Sequence, residues 1–194
     1  REAFQMLCGS RQEVTVQEYI AGVPASASLI SSGNRPITLT VNEQLLGLGF
    51  LGQKEPFGYC GNVVPLSASE DILSKCREIG EKVVNHFELV GSNGVDFVIS
   101  GEGVPYVIEV NPRFQATLEC VENVLGVNVV EAHIKACTRG SLPNVLNVIS
   151  KFCTRLILFA PYRSVVPDLS SFSEVRDVPL PGVIIEEREP VCSI

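Results

Sequence analysis

Basic residues are scarce in this chain. Fifteen Lys and Arg stand against 22 Asp and Glu in 194 residues, a net charge of −7. That balance leaves no basic footprint for nucleic acid. It gives no attraction to an anionic membrane surface either. It does not exclude a nucleotide, because a phosphate site needs only local donors and a metal. No apolar run approaches the length of a membrane span, and no signal-type apolar region opens the chain. Paired cysteines are also lacking. Seven cysteines, at 8, 60, 76, 120, 137, 153 and 192, form no CxxC pair and no Cys/His cluster of zinc spacing. Scattered inside apolar runs, they read as reduced core thiols, which implies a cytoplasmic protein.

What is present is apolar. Hydrophobic residues make up 45% of the chain, enough for a real core in one large domain or two small ones. No repeat or low-complexity segment appears. The chain opens at Arg1 without a methionine and stops within a strand-like PVCSI, which is expected of a piece of a longer protein.

VTVQEYIAGVPASASLISSG reads as two strands with a turn at Gly22–Pro24, and RPITLTVNEQLL as a third. Residues 46–65 form a long glycine-rich loop, with a short strand at its end. Loops of that length in compact domains are often functional. SASEDILSKCREIGEKVVNHFEL is a helix, capped by Ser67 or Ser69, with Glu70 and Asp71 in its first turn. His86 falls on its polar side. GVDFVIS and VPYVIEVN form a hairpin. Helices follow over about 114–125 and 128–138, the second closed by Gly140 and carrying His133 in a structural role. KFCTRLILFAPY is a strand, and the tail holds short strands between prolines and glycines. The fold class is α+β: a mostly antiparallel sheet with helices packed on one face. The expected division is 1–140 as the main domain and 141–194 as a β-rich extension.

VPYVIEVNPRFQ, residues 104–115, places a carboxylate and an amide on a greasy strand. A buried carboxylate needs compensation. With GEGV (101–104) as hairpin tip, residues summing to about 205 pair, so Asp96 faces Glu109. Asn111 lies on the same face, two residues on. Facing carboxylates repel unless one is protonated or a cation sits between them. Two carboxylates and an amide oxygen suit a hard divalent ion such as Mg²⁺. The other reading is a polar sheet face turned to solvent.

These residues resemble the C-terminal half of an ATP-grasp domain. That superfamily includes biotin carboxylase, carbamoyl phosphate synthetase and D-alanine:D-alanine ligase. The likeness rests on VDF, the hairpin, E-x-N-x-R and the upstream VQEYIAG, and covers roughly residues 14–140. It is strongest to ATP-grasp proteins related to biotin carboxylase. The resemblance implies ATP with Mg²⁺ (or Mn²⁺) as cofactors, small-molecule substrates and a homodimer as one assembly. Asp96, Glu109 and Asn111 match the metal ligands. Arg113 matches the basic residue that stabilises negative charge in the reaction, its other role being a structural ion pair. Gln17, Glu18 and Ile20 match the adenine edge contacts, Val98 the apolar floor beneath the purine, and Gln115 a substrate-side position. Tyr59 and Gln44 line the acceptor pocket or serve packing.

Departures from the pattern matter. Thr117 stands where biotin carboxylase has its acidic base, with Glu119 two residues on. Only Ser26 and Ser28 stand near the place of an acidic ribose contact. The family's phosphate-binding glycine loop and lysine do not precede VQEYI, and GLGFLGQK (47–54) lacks the P-loop pattern. Three readings follow. The first is a ligase that activates a carboxylate as an acylphosphate for attack by an amine, releasing ADP. The second is a carboxylase that activates bicarbonate through carboxyphosphate. The third is a non-catalytic nucleotide-binding scaffold.

Overall fold

A computed structural model describes residues 15–144 and 151–194. Cys8, Val14 and the rest of the opening segment lie outside the described residues. The chain is α+β. Strands β1 (Gly22–Ser32), β2 (Pro36–Leu46), β3 (Tyr59–Val64), β4 (Val90–Ser100), β5 (Pro105–Asn111), β6 (Cys153–Phe159) and β9 (Pro190–Ser193) form one seven-stranded sheet, in the order β5-β4-β1-β2-β3-β6-β9. Every pairing is antiparallel. A separate two-stranded ribbon joins β7 (Ser164–Val165) to β8 (Ile184–Ile185). The C-terminal strands β6 and β9 thus continue the main sheet.

Helix packing on one face of this sheet is carried by α1 (Glu70–His86). Glu70 and Asp71 sit at its positive N-terminal end, where carboxylates are favoured. Cys76, Gly80 and Val84 are its buried positions, against Ala25, Ala27, Leu29, Val95 and Phe97. Gly80 faces Leu29 and Ala27, with which a Cβ would make ordinary van der Waals contact. Leu29 and Phe97 are 1% exposed, and burying each such side chain stabilises by about 1.5–3 kcal/mol. Helices α2 (Leu118–Leu125) and α3 (Val129–Arg139) enclose a second cluster with Ile30, Leu39 and Val64. Asn128 caps α3 by accepting from the Glu131 amide at 2.6 Å.

Three expectations need correction. Thr15–Ala21 is not a strand: the segment is irregular, and Val16 and Tyr19 project into solvent. Its alternating side chains have no partner strand among the described residues, and alternation alone does not make a ladder. Gly22–Pro24 is not a turn, since Gly22 pairs with Ser100 and Pro24 with Val98. Proline is tolerated there because β1 meets β2 only from Ala25 onward, so one edge is still open. The helix expected from 114 starts at Leu118. Residues 113–117 instead form a turn held by Gln115, whose Nε2 donates to the carbonyl oxygens of Asn111 and Arg113 at 3.1 and 2.5 Å.

Four of the described thiols are core residues as expected, and Cys137 is not. Cys60, Cys76, Cys120 and Cys192 are buried, Cys137 is exposed, and all are free. Burial pushes Cys76 up to about 11, and burial with the neighbouring Cys153 pushes Cys120 up to about 12. Only the thiolate reacts with an alkylating agent. Labelling the native protein with iodoacetamide at pH 8 should therefore, among the described cysteines, modify Cys137 first and leave Cys76 and Cys120 intact until unfolding. Peptide mass mapping checks this; labelling of Cys120 at the rate of Cys137 would contradict it. No described helix is long and apolar enough to cross a membrane.

Candidate functional site

The sheet register assembles the site in rows. Asp96 lies opposite Glu109 on one side and Ser26 on the other, and Ser26 lies opposite Asn42. The next row runs Asn111, Gly94, Ser28, Thr40. Directly opposed residues share a face, so these side chains form one polar patch. Gly94 leaves a gap in it. A Cβ at that position would overlap the Gln115 side-chain amide, which fills the space instead. Asp96 and Glu109 therefore face each other as the hairpin tip predicts. Asn111 shares their face.

Asp96 is half-buried and held from two sides. Gln44 Nε2 donates to its Oδ1 and Asn111 Nδ2 to its Oδ2, both at 3.0 Å. Burial raises the Asp96 pKa, the Glu109 carboxylate raises it further, and the amides with Arg113 only partly offset this. A carboxylate in that condition is short of positive charge. Arg113 supplies a little: its Nη2 donates to Asn111 Oδ1 at a long 3.5 Å, and its Nη1 donates to the Phe114 carbonyl at 3.1 Å.

This donor set fits a hard divalent cation. It offers two facing carboxylates, and an amide oxygen engaged by only that one long contact. Among the described residues no group of three or more His, Cys, Asp or Glu could hold a metal. A softer, all-protein site is thus absent there, whereas Mg²⁺ characteristically takes few carboxylates and completes its shell with water and phosphate.

Asp96, Glu109, Asn111, Arg113 and Gln115 line one open cavity of about 370 Å³, with Gln44 and Tyr59 on its wall. Val98 is on the same strand as Asp96, two residues along and on the same face, opposite Pro24 and Tyr106. Val98 does not line the cavity, and neither do Gln17, Glu18 and Ile20. Their segment passes beside it, because Tyr19 packs edge-on against the rim residue Phe57 with ring centroids 6.2 Å apart.

Thr117 has a structural partner. Its hydroxyl bonds the Ser28 hydroxyl at 2.9 Å, and Ser28 also accepts from Asn42 Nδ2 at 3.0 Å. All three are buried. The position where biotin carboxylase has its base thus anchors the site loop to the sheet. Arg155 was not singled out from sequence. Its Nη1 donates to the Ala116 carbonyl at 3.5 Å, and its Nη2 to Ser193 Oγ at 3.2 Å and to Asp177. No local pattern points to it, since only the pairing of β3 with β6 brings it to the site loop.

Comparison with known proteins gives the family. A family model described as an ATP-grasp domain matches residues 2–117. The chain belongs to that family. It is 29% identical over 181 residues to an uncharacterized protein of Methanocaldococcus jannaschii, covering 93% of this chain and 42% of that protein. It is 26% identical over 129 residues to the carbamoyl phosphate synthase large chain of Clostridium acetobutylicum, covering 66% of this chain and 12% of that protein. Among solved structures, it shares its fold with the biotin carboxylase domain dimer of 2-oxoglutarate carboxylase from Hydrogenobacter thermophilus, in complex with magnesium ADP and bicarbonate. The TM-score is 0.70 at 13% identity, covering 91% of this chain and 42% of that one. The chain thus spans less than half the length of each of these relatives.

Proposed function

We propose that this chain carries the metal–nucleotide face of an ATP-dependent enzyme that phosphorylates bicarbonate, releasing ADP and passing carboxyphosphate to a nucleophile. The observation that carries it is the pairing of Asp96 with Glu109 across the hairpin, with Asn111 on the same face. Relatives named carbamoyl phosphate synthase, and a like-folded carboxylase bound to bicarbonate, support that acceptor over an organic acid.

Asp96, Glu109 and Asn111 would hold Mg²⁺. When bound, it would neutralise phosphate charge and fix the nucleotide's orientation. The chain's own residues would do the rest. Gln44 and Asn111 keep the Asp96 carboxylate in one orientation. The Arg113 guanidinium offsets charge on the transferring phosphoryl group, a role that needs position rather than proton transfer. The Tyr19–Phe57 contact sets the segment that would meet the adenine beside the cavity's rim.

A second reading, a carboxylate–amine ligase, is favoured by Thr117. Its hydroxyl is spent on Ser28 and supplies no base for bicarbonate chemistry of the biotin carboxylase kind. ADP release by the full-length protein with Mg-ATP separates the two. The bicarbonate reading expects release to rise with added bicarbonate, without any organic acid. Release that ignores bicarbonate and requires an organic carboxylate with an amine would give the site to the ligase.

A further inference from the structure

Strand β3 brings a further side chain, Tyr59, to the cavity wall. Tyr59 and Asn62 are three residues apart, so on a regular strand they would point to opposite faces. They do not. Leu45 pairs with Gly61 and Leu46 with Tyr59, so Cys60 is an extra residue and the strand bulges. The bulge returns Tyr59 to the face that bears Asn62 and Gln44, and bulges beside functional sites often re-aim a side chain in this way. Gly61 makes it possible, with φ of +137° and no room for a Cβ beneath the Arg155 carbonyl oxygen.

The re-aimed phenol has a definite polarity. Asn62, fully buried, donates from Nδ2 to the Tyr59 hydroxyl oxygen at 2.7 Å. The phenol is the acceptor in that bond, so its own hydrogen is left to donate. Among the described residues the hydroxyl makes no other hydrogen bond, and the amide oxygen of Asn62 is itself buried without a partner. Burial raises the Tyr59 pKa, although Asn62 and Arg155 lower it in part. The proton therefore stays on at neutral pH. Tyr59 lines the same cavity as Arg113, Asp96 and Glu109. On that wall the carboxylates can only accept, whereas Tyr59 and Arg113 can only offer hydrogens to an anion.

We propose that Tyr59 is a substrate-binding residue, its hydroxyl donating to an oxygen of the carboxyl-type group, bicarbonate in the reading above, that receives the phosphoryl group. This rests on the function proposed above and deepens it. Tyr59 fixes the acceptor, not the nucleotide. Asn62 positions it, and the glycine-dependent bulge turns it into the cavity.

The test is Tyr59→Phe in the full-length protein, measured by ADP release at varied bicarbonate and at varied ATP, with the melting temperature recorded. Loss of one hydrogen bond to an anion should raise KM for bicarbonate about tenfold or more. KM for ATP should stay within about twofold, since the phenol makes no nucleotide contact in this scheme. Asn62→Ser, which keeps the phenol but removes its tether, should give a smaller rise of the same selectivity. An unchanged KM for bicarbonate in Tyr59→Phe, equal rises for both substrates, or failure of both variants to fold would overturn the inference. The last would make the pair purely structural. Wild type that releases ADP beside an unaltered Tyr59→Phe sinks this inference alone. Wild type that releases no ADP with bicarbonate or any carboxylate sinks the proposed function, and this inference with it.

Discussion

Replacing Glu109 with alanine is expected to lower ADP release by on the order of 10²- to 10³-fold, the usual cost of removing one charge-stabilising group from a preorganised site. The fold should hardly notice. Glu109 is exposed on β5, the edge strand of the sheet, and no ion pair joins it to another described residue. Surface changes of that kind stay within about 0.5 kcal/mol. The variant also relieves Asp96 of the facing charge that helps raise its pKa. Activity and stability should therefore separate: near-normal melting, near-zero turnover. Steady-state ADP release with a melting curve checks both. Full turnover in the variant would mean that the facing carboxylates are an ordinary polar sheet face.

The second large effect is on stability. Gly61→Ala should cost about 3 kcal/mol, since it adds left-handed backbone strain to a collision with neighbouring backbone. For a chain of this size that is a fall in melting temperature of about 10 °C. The Cβ would strike the Arg155 carbonyl oxygen on the paired strand β6, and backbone cannot swing aside as a flexible side chain can. Gly101 is the control. It has open space around it, and alanine there should change melting by no more than about 1–2 °C. Equal effects at the two glycines would contradict the packing described for β3 and β6.

Much of the site was legible in the sequence because a hairpin tip fixes a register. GEGV at the turn places Asp96 within one residue of its partner, and the one-residue bulge at Ile108 is what sets it opposite Glu109. Nearer the tip the pairing slips by one, to Phe97 with Val107. Ile108 is the extra residue, and nothing distinguishes it from its apolar neighbours. The α1 helix was legible from its acidic first turn and 3.6-residue period. Thr15–Ala21 was misread because its alternation is a strand's, while a strand also needs an edge to pair with. The bulge at Cys60 was not legible either, although Gly61 marks the place where backbone would need a positive φ. Contacts between distant parts of the chain stayed hidden. Ser28 and Thr117 are 89 residues apart, and Arg155 reaches Ala116 across 39. Thr117 could be seen as a departure from biotin carboxylase, but its hydrogen bond to Ser28 could not.

The central claim is that the Asp96–Glu109–Asn111 face binds a metal–nucleotide complex. The most direct measurement is calorimetric titration of the full-length protein with a non-hydrolysable ATP analogue, with and without Mg²⁺, for wild type and Glu109→Ala. The account predicts binding that is strengthened by Mg²⁺ in the wild type, with that strengthening lost in the variant. Binding indifferent to Mg²⁺, or equal in both proteins, would contradict it.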